Sequence, residues 1–245
     1  MQLSIVIPAY NEENRIKTML DVYLPYFIEK YGEDVELIVV VNGSTDNTEK
    51  IVSRIQERYL QVKLIVDLNP IGKGGALVLG FREAKGHLIG FVDADGATPP
   101  AAFQSLVENI GDAGCIIASR WMKSSIVSPP QPLMRRVSSR CFNLMVRMLF
   151  GFRITDTQCG AKLLTRDAID AVLPQLGVTK WGFDVDMLFH VRDCGFSIQE
   201  IPTEWHDVAG SRVDLSSTSI NMALEMIRLR LEYSPFNFIV NNFKR

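Results

Sequence analysis

Residues 86–100 read GHLIGFVDADGATPP. An apolar run over residues 88–92 is followed by two acids one residue apart, Asp93 and Asp95, and then by a Gly, Thr and Pro cluster that is typical of a turn. The pattern predicts a buried strand that ends at the two acids. Because ligands of open α/β sheets bind beyond the carboxyl ends of the strands, we expect both carboxylates to lie at a ligand site.

The two acids suit a divalent cation. Alternation along an extended chain places Asp93 and Asp95 on one side of it. Carboxylate oxygens are hard donors, which Mg²⁺ and Mn²⁺ prefer, and both metals also bind substrate phosphates. A plain turn at the end of the strand is the alternative explanation, because Asp and Gly are common turn residues.

The bulk composition is that of a globular protein. The 245 residues are 47% hydrophobic and 22% charged, which is enough for the core of one large domain or two small ones. A net charge of −2 argues against nucleic-acid binding as the main function. The four cysteines have neither metal nor redox spacing and are typical of reduced core residues in an intracellular protein: Cys115, Cys141, Cys159 and Cys194.

Neither a leader nor a membrane-spanning segment is visible. The chain opens on a strand-like run at residues 3–7, without the basic and apolar regions of a signal peptide. No stretch reaches the roughly 18 apolar residues that a spanning helix needs. We therefore expect a cytoplasmic protein that lies, at most, peripherally on the cytoplasmic face of a membrane.

Strand-like and helix-like patterns alternate in the first half of the chain. Nearly continuous apolar strands of this kind are typical of a parallel sheet covered on both faces. The strands are predicted at 3–9, 35–42, 62–68, 88–94 and 115–119, and the helices at about 12–30, 45–59, 73–85 and 99–110.

The pattern changes after residue 120. A Ser- and Pro-rich loop over 124–132 precedes an arginine-rich apolar segment over 133–152. A helix near 182–194, a strand at 198–205 and a final helix at about 218–233 are predicted to follow. We expect one domain over 1–245, with a nucleotide-binding half, 1–120, and an acceptor-binding half, 121–245.

Two loops after the first strands carry ligand-binding chemistry. At residues 8–13 the sequence PAYNEE supplies a ring, Tyr10, that can stack on a base, and polar groups that can read the base edge or ribose. The second strand ends at Asn42, and Ser44 or Thr45 is a candidate cap of the next helix. Capping alone is the competing explanation for both loops.

A third loop places Lys73 among glycines, at residues 69–76. It lies at a predicted helix start, where free backbone N–H groups favour a phosphate. The loop lacks the Walker spacing, and no Gly-x-Gly-x-x-Gly follows the first strand. Several such loops and an Asp-x-Asp at one sheet edge favour a nucleotide site.

Taken in order, these motifs resemble those of inverting, GT-A fold nucleotide-sugar glycosyltransferases of family 2, above all the dolichyl-phosphate glucose and mannose synthases. The resemblance covers nearly the whole chain. Its blocks are PAYNE at 8–12, NGSTD at 42–46, GKGGA at 72–76, DADGAT at 93–98, DTQCGAKL at 156–163, WGFDVD at 181–186, EIPTEW at 200–205 and GSR at 210–212. Asn42 stands where members usually have Asp, and Ala161 where Phe is usual.

The resemblance implies a fold and roles on the donor side. The fold is α/β, with a Rossmann-like, mostly parallel sheet flanked by helices and with C-terminal helices that bind the acceptor. The implied nucleotide contacts are Pro8, Tyr10, Glu12, Asn42, Lys73 and Asp93. Asp95 would hold the Mg²⁺ or Mn²⁺ of the diphosphate, and Asp156 and Asp184 would position the sugar or act as base. Mannose synthases can add a third metal ligand at the position of Ala97, so water or Thr98 must serve here.

The implied acceptor needs cations. A polyprenyl phosphate is already ionised near neutral pH, so its oxygen attacks without a strong base. The resemblance places Arg120, Arg135, Ser139 and Arg212 at this phosphate, while Arg136 is a rival of Arg135. A solvated basic helix face is the alternative explanation for any one of these arginines.

The apolar and basic pattern over 133–152 and in the last helix suits docking on an anionic membrane surface, although core packing explains it equally well. The blocks DGAT at 95–98, TQCG at 157–160 and WGFDV at 181–185 resemble the glucose branch more closely. The resemblance therefore implies inverting transfer of a hexose, glucose from UDP-glucose, to dolichyl or another polyprenyl phosphate, as in protein glycosylation.

Four alternatives stay open. A GDP-mannose-dependent synthase shares the same motifs. Transfer to a glycan or protein hydroxyl would require Asp156 or Asp184 as a true base. A sugar-1-phosphate nucleotidyltransferase should carry a Gly-rich loop after the first strand, where PAYNE stands. A nucleotide-sugar-binding module would bind without turnover.

Overall fold

The computed structural model describes residues 1–177, 182–207 and 215–234. The first half alternates strands and helices as the apolar pattern predicts. Its elements are β1 (Leu3–Ala9), α1 (Ile16–Tyr31), β2 (Val35–Asn42), α2 (Thr48–Gln56), β3 (Val62–Asp67), α3 (Gly72–Glu83), β4 (Leu88–Val92), α4 (Pro100–Asn109) and β5 (Cys115–Ser119).

The second half is less regular. Its elements are β6 (Ile126–Ser128), α5 (Leu133–Phe150), β7 (Ala161–Thr165), α6 (Arg166–Val172), α7 (Phe183–Asp193), β8 (Ile198–Pro202), β9 (Glu204–His206) and α8 (Leu215–Glu232), with a 3₁₀ turn at Leu173–Gln175. The strand predicted at 198–205 is in fact two strands. β8 pairs with β5 in the main sheet, whereas β9 pairs with β6 in a separate two-stranded ribbon.

The main sheet has seven strands in the order β3-β2-β1-β4-β7-β5-β8. All of its pairs are parallel except those of β7, which runs antiparallel to β4 and β5. The mostly parallel α/β prediction is confirmed. Strand β7 was not predicted; it is a five-residue strand whose buried apolar run is interrupted by Lys162.

Both faces of the sheet are covered by helices. Strand β1 shows why, since Ile5 and Ile7 pack into the layer beneath α1 and α4, while Val6 packs into the layer beneath α3, α6 and α7. Strand β2 is buried along its whole length. Because the parallel strands run in the same direction, the loops that follow them meet at one edge of the sheet.

Helices α5 and α8 lie against each other, with Arg230 Nε donating to the Leu149 carbonyl over 2.8 Å. In the described part of the chain, none of the helices is both long enough and apolar enough to cross a bilayer.

Candidate active site

A cavity of about 940 Å³ opens at this edge of the sheet. Its walls come from the ends of β1, β2, β4 and β5 and from helices α3, α5, α7 and α8. Eleven of the thirteen predicted site residues line it: Pro8, Tyr10, Glu12, Asn42, Lys73, Asp93, Asp95, Arg120, Arg135, Ser139 and Asp184. Asp156 does not line it, and Arg212 lies outside the described residues.

The loop after β1 is fixed by the loop after β2. Asn11 adopts a left-handed backbone with φ 54°, donates its N–H to Ser44 Oγ over 3.0 Å, and accepts from the Thr45 N–H at 2.8 Å. Ser44 and Thr45 therefore join the two loops and do not cap α2, which corrects the capping prediction. The turn leaves Tyr10 48% exposed on the cavity wall, where its ring is free to stack.

Asn42 links the loop after β1 to the start of α3. Its Nδ2 donates to the Ala9 carbonyl over 3.1 Å, and its Oδ1 accepts from the Gly72 N–H at 3.1 Å. A carboxylate has no donor for the first of these bonds, so the amide suits this position. Nearby, Glu12 forms a two-pronged ion pair with Arg15 at 2.6 and 2.7 Å.

Four charged side chains form a cluster that alternates in sign, and three of them, Asp93, Lys73 and Asp184, line the cavity. Lys73 Nζ lies 2.8 Å from Asp93 Oδ1 and 3.7 Å from Asp184 Oδ2. The other oxygen of Asp184 accepts from Lys162 Nζ at 2.5 Å, and Lys162 also donates to the Cys159 carbonyl over 2.7 Å. Lys162 is fully buried on β7. The order along the cluster is thus Asp93, Lys73, Asp184 and Lys162.

The pairing fixes the charge of these groups. Burial alone would lower the pKa of Lys73, but the Asp184 and Asp93 carboxylates raise it well above its usual range. Burial alone would raise the pKa of Asp184, but Lys162 and then Lys73 hold it below its ordinary value. Asp184 is therefore a carboxylate at neutral pH and a weak proton acceptor.

Asp95 is partly exposed in the cavity, and its Oδ1 accepts from the Ala97 N–H at 3.0 Å. Burial and the adjacent Asp93 raise the pKa of this carboxyl, so an added cation would relieve both effects. The described residues hold no cluster of three or more His, Cys, Asp or Glu side chains suited to a metal. Thr98 is buried and does not line the cavity, so it is not placed to serve as the further metal ligand considered for it.

Arg120 is held in place by an ion pair with Asp156. Its Nε and Nη2 donate to the two Asp156 oxygens over 2.8 and 2.9 Å, and its guanidinium lies 4.9 Å from the centre of the Trp205 ring. Burial opposes ionisation of Arg120, but Asp156 raises its pKa far above the usual range. Glu200 in turn accepts from the Asp156 N–H at 2.9 Å. Asp156 is fully buried and does not line the cavity, so it supports Arg120 and has no direct contact with the cavity itself.

Helix α5 contributes a further arginine, Arg135, to the cavity wall. Arg135 and Ser139, one turn apart, line the cavity, whereas Arg136 is exposed and does not. Asp207 holds Arg135 at 3.3 Å and also accepts from Gln131 Nε2 at 2.9 Å. The structure thus separates the two rival arginines.

Comparison with known proteins agrees with this geometry. The model of the family described as "Glycosyl transferase family 2" matches residues 4–173. The chain belongs to this family. It is a glycosyltransferase.

The curated relatives of this glycosyltransferase include three named dolichyl-phosphate beta-glucosyltransferase. The protein from Dictyostelium discoideum is 34% identical, over 94% of this chain and 74% of the relative. The one from Saccharomyces cerevisiae is 35% identical, over 94% and 75%, and the human one 32% identical, over 95% and 76%. The chain resembles these synthases over most of its length.

Solved structures confirm the GT-A fold of the glycosyltransferase. Glucosyl-3-phosphoglycerate synthase from Mycobacterium tuberculosis in complex with UDP superposes with a TM-score of 0.69 at 19% identity, over 94% of this chain and 79% of that one. The same protein with Mn²⁺, UDP and glucosyl-3-phosphoglycerate gives 0.68 at 19%, over 94% and 79%. At this identity the likeness speaks for the fold alone.

The structure also brings residues into the cavity that the sequence reading did not assign. Gln158 and Trp205 belong to motifs of the resemblance but had no predicted role, and Met222 comes from α8. Cys141, interpreted as a core residue, is exposed on α5 and lines the cavity. Lys162 also had no predicted role; it does not line the cavity but is buried behind its wall, where it pairs with Asp184.

Proposed function

We propose that this glycosyltransferase moves glucose from UDP-glucose to a dolichyl or other polyprenyl phosphate, with inversion at the sugar. The observation that carries the proposal is a single cavity whose wall carries two charged regions, an acidic one defined by Asp93 and Asp95 and a basic one defined by Arg120 and Arg135. The names of the curated relatives support the same donor sugar and lipid acceptor.

On the donor side, Tyr10 stacks on the base, and Pro8, Glu12 and Asn42 shape the pocket around the nucleoside. Residues 1–120 supply this wall, and residues 121–245 supply most of the acceptor wall. Lys73 faces the diphosphate, where two carboxylates keep it charged and in place. Its direct contact with Asp93 ties the nucleotide site to the acid pair.

Mg²⁺ or Mn²⁺ fits the acid pair, since carboxylate oxygens are hard donors and Asp95 keeps an oxygen open to the cavity. Asp95 would hold the metal, and the diphosphate and water would complete its ligands. When bound, the metal neutralises the charge that develops on the leaving diphosphate. Structures of the Mycobacterium tuberculosis protein with UDP include one with Mn²⁺ and one with Mg²⁺, which supports a divalent metal here.

On the acceptor side, Arg120 and Arg135 hold the lipid phosphate, with Ser139 one turn along α5. Asp156 acts through Arg120 as a positioning residue. A phosphate oxygen attacks C1 from the side opposite UDP, so the new C1–O bond forms as the bond to UDP breaks. One displacement of this kind turns an α-linked donor into a β-linked product.

No base is required for this reaction, and the site offers a poor one. The low pKa of Asp184 weakens it as a proton acceptor, and Asp156, which is fully buried against Arg120, does not line the cavity. Transfer to a glycan or protein hydroxyl, which needs a base, is therefore less well supported.

The surface around α5 and α8 fits an anionic membrane. Between Asp112 and Asp156 the chain has no acid but seven basic residues: Arg120, Lys123, Arg135, Arg136, Arg140, Arg147 and Arg153. We call the apolar side chains exposed on these two helices the docking face: Leu133, Met134, Val137, Leu144, Met148, Leu224 and Ile227. Apolar insertion combined with arginine contacts to lipid headgroups gives peripheral binding, on the cytoplasmic face of a membrane.

The test is transfer of labelled sugar from UDP-glucose or GDP-mannose, with Mg²⁺ or Mn²⁺, to three acceptors: a short polyprenyl phosphate, 3-phosphoglycerate and a free glycan. We expect a chloroform-soluble product from UDP-glucose and polyprenyl phosphate. Water-soluble product alone would refute the lipid acceptor, and product from GDP-mannose alone would refute the donor. Nucleotide binding without any product would favour a binding module.

A further inference from the structure

The loop over residues 156–160 runs from one charged region of the cavity to the other. At its start Asp156 is held by Arg120 through two hydrogen bonds. At its end the Gly160 carbonyl accepts from the Asp93 N–H at 3.2 Å, and a side chain on Gly160 would collide with the Asp93 carboxylate. Both ends of the loop are therefore fixed against residues of the cavity wall.

Within this loop only Gln158 lines the cavity. Thr157 is turned into the protein, where its Oγ1 donates to Asn143 Oδ1 over 2.9 Å. The Gln158 amide nitrogen is buried and has no hydrogen-bond partner among the described residues. Trp205, another residue of the cavity wall, has a buried indole N–H for which the described part of the chain offers no hydrogen-bond partner.

Unpaired buried donors are uncommon, because each loses its hydrogen bonds to water without replacement. As placed, the Gln158 amide nitrogen has almost no accessible surface, so a ligand that brings hydroxyl oxygens into the cavity would remove the cost by drawing the Gln158 amide round toward the cavity that the side chain lines. The position of Gln158 narrows the choice of ligand. In a direct displacement the sugar must lie between the leaving diphosphate and the attacking phosphate. Gln158 is the middle residue of a loop that contacts Arg120 through Asp156 at one end and Asp93 through Gly160 at the other.

We propose that Gln158 donates from Nε2 to a hydroxyl of the transferred hexose and is a specificity-determining residue for that sugar. The assignment rests on the proposed function, since it takes the two charged regions as the diphosphate and acceptor sites. A site built to hydrogen-bond a substrate hydroxyl discriminates strongly against an analogue that misplaces it, because its own polar group is then left unpaired.

The test compares Gln158→Met, which keeps the side-chain length and removes the amide, with Gln175→Met as control. Gln175 donates to the Ala171 carbonyl on the exposed surface. Calorimetry gives the affinities for UDP and for UDP-glucose, and for GDP and GDP-mannose in parallel. Initial rates give the preference for UDP-glucose over its C4 epimer, UDP-galactose.

We expect Gln158→Met to weaken binding of the nucleotide sugar by about five- to tenfold, as for one lost hydrogen bond, and to leave the free nucleotide unaffected. The ratio of the initial rate with UDP-glucose to that with UDP-galactose should fall, and the Gln175→Met control should behave as wild type. An equal loss for nucleotide and nucleotide sugar, or no loss for either, overturns the proposal. If Gln158→Met does not fold, as judged by its thermal melt, the same comparison on Gln158→Asn, which withdraws the amide by one methylene, decides.

This design separates the two proposals. The binding comparison needs no acceptor, so it reports on Gln158 even if the wild-type enzyme glucosylates no polyprenyl phosphate. Conversely, normal lipid transfer with an unchanged sugar preference in Gln158→Met removes Gln158 from sugar recognition and leaves the proposed function intact.

Discussion

Replacing Lys162 by Met should be among the most costly single changes in this protein. Lys162 is fully buried, and its Nζ lies 2.5 Å from Asp184 Oδ1. In the variant, Lys73 at 3.7 Å is the one ion-pair partner that the described residues leave to the buried Asp184 carboxylate. Breaking a buried pair by removing one partner costs about 3–5 kcal/mol, and the residual contact to Lys73 places this case near about 3 kcal/mol.

The assay is urea unfolding at pH 7, followed by circular dichroism, with a thermal melt alongside. A loss of about 3 kcal/mol corresponds to a fall in Tm of roughly 6–12 °C for a domain of this size. Lys63→Met is the matched control. Lys63 also lies 2.5 Å from a carboxylate, that of Glu83, but on the surface, where such a pair contributes about 0–1 kcal/mol.

The cost should depend on pH with a defined sign. In the wild type the pKa of Asp184 lies below its ordinary value of 3.8, so its ionisation stabilises the fold at higher pH and the gain is lost as the pH falls through the folded-state pKa. Without Lys162, burial should raise that pKa, and the folded state then prefers the protonated acid. The penalty of Lys162→Met is therefore expected to shrink between pH 7 and pH 4. A penalty equal to that of Lys63→Met, or one that grows on acidification, would refute the reasoning.

Three further predictions concern the site and the surface. Asp95→Asn should lower the rate of transfer at least about a hundredfold and make UDP binding independent of Mn²⁺, as measured by initial rates and calorimetry. Arg135→Gln should raise the KM for polyprenyl phosphate about tenfold, as for a lost charge-assisted bond, while Arg136→Gln leaves it unchanged; equal effects would contradict the cavity geometry. Met148→Glu, on the docking face, should weaken co-sedimentation with anionic vesicles severalfold, whereas Leu60→Glu, at a 95% exposed site outside that face, should not.

Much of the fold could be predicted because its signals are local. The apolar runs of β1, β2 and β5 match the observed strands residue for residue, since each strand is buried on both faces. Asp93 and Asp95 line the cavity because polar residues that follow a buried parallel strand emerge at its carboxyl edge. The strand before them ends at Val92, two residues earlier than predicted.

The remainder depends on contacts between distant residues. A lysine inside β7 is tolerable only because Asp184, 22 residues later, meets it in the core, and no local window contains that information. Ser44 and Thr45 have the chemistry of helix caps, but contacts with Asn11 take precedence. Adjacent residues on a helix point in directions about 100° apart, so the packing of α5 decides between Arg135 and Arg136.

The most direct test of the central claim is the proton and phosphorus NMR spectrum of the product formed from UDP-glucose and a short polyprenyl phosphate. We predict an anomeric proton of the β configuration that is coupled to phosphorus, as expected when a phosphate oxygen displaces UDP in one inverting step. An α anomeric proton would contradict the single displacement, and an anomeric proton without coupling to phosphorus would contradict transfer to the lipid phosphate.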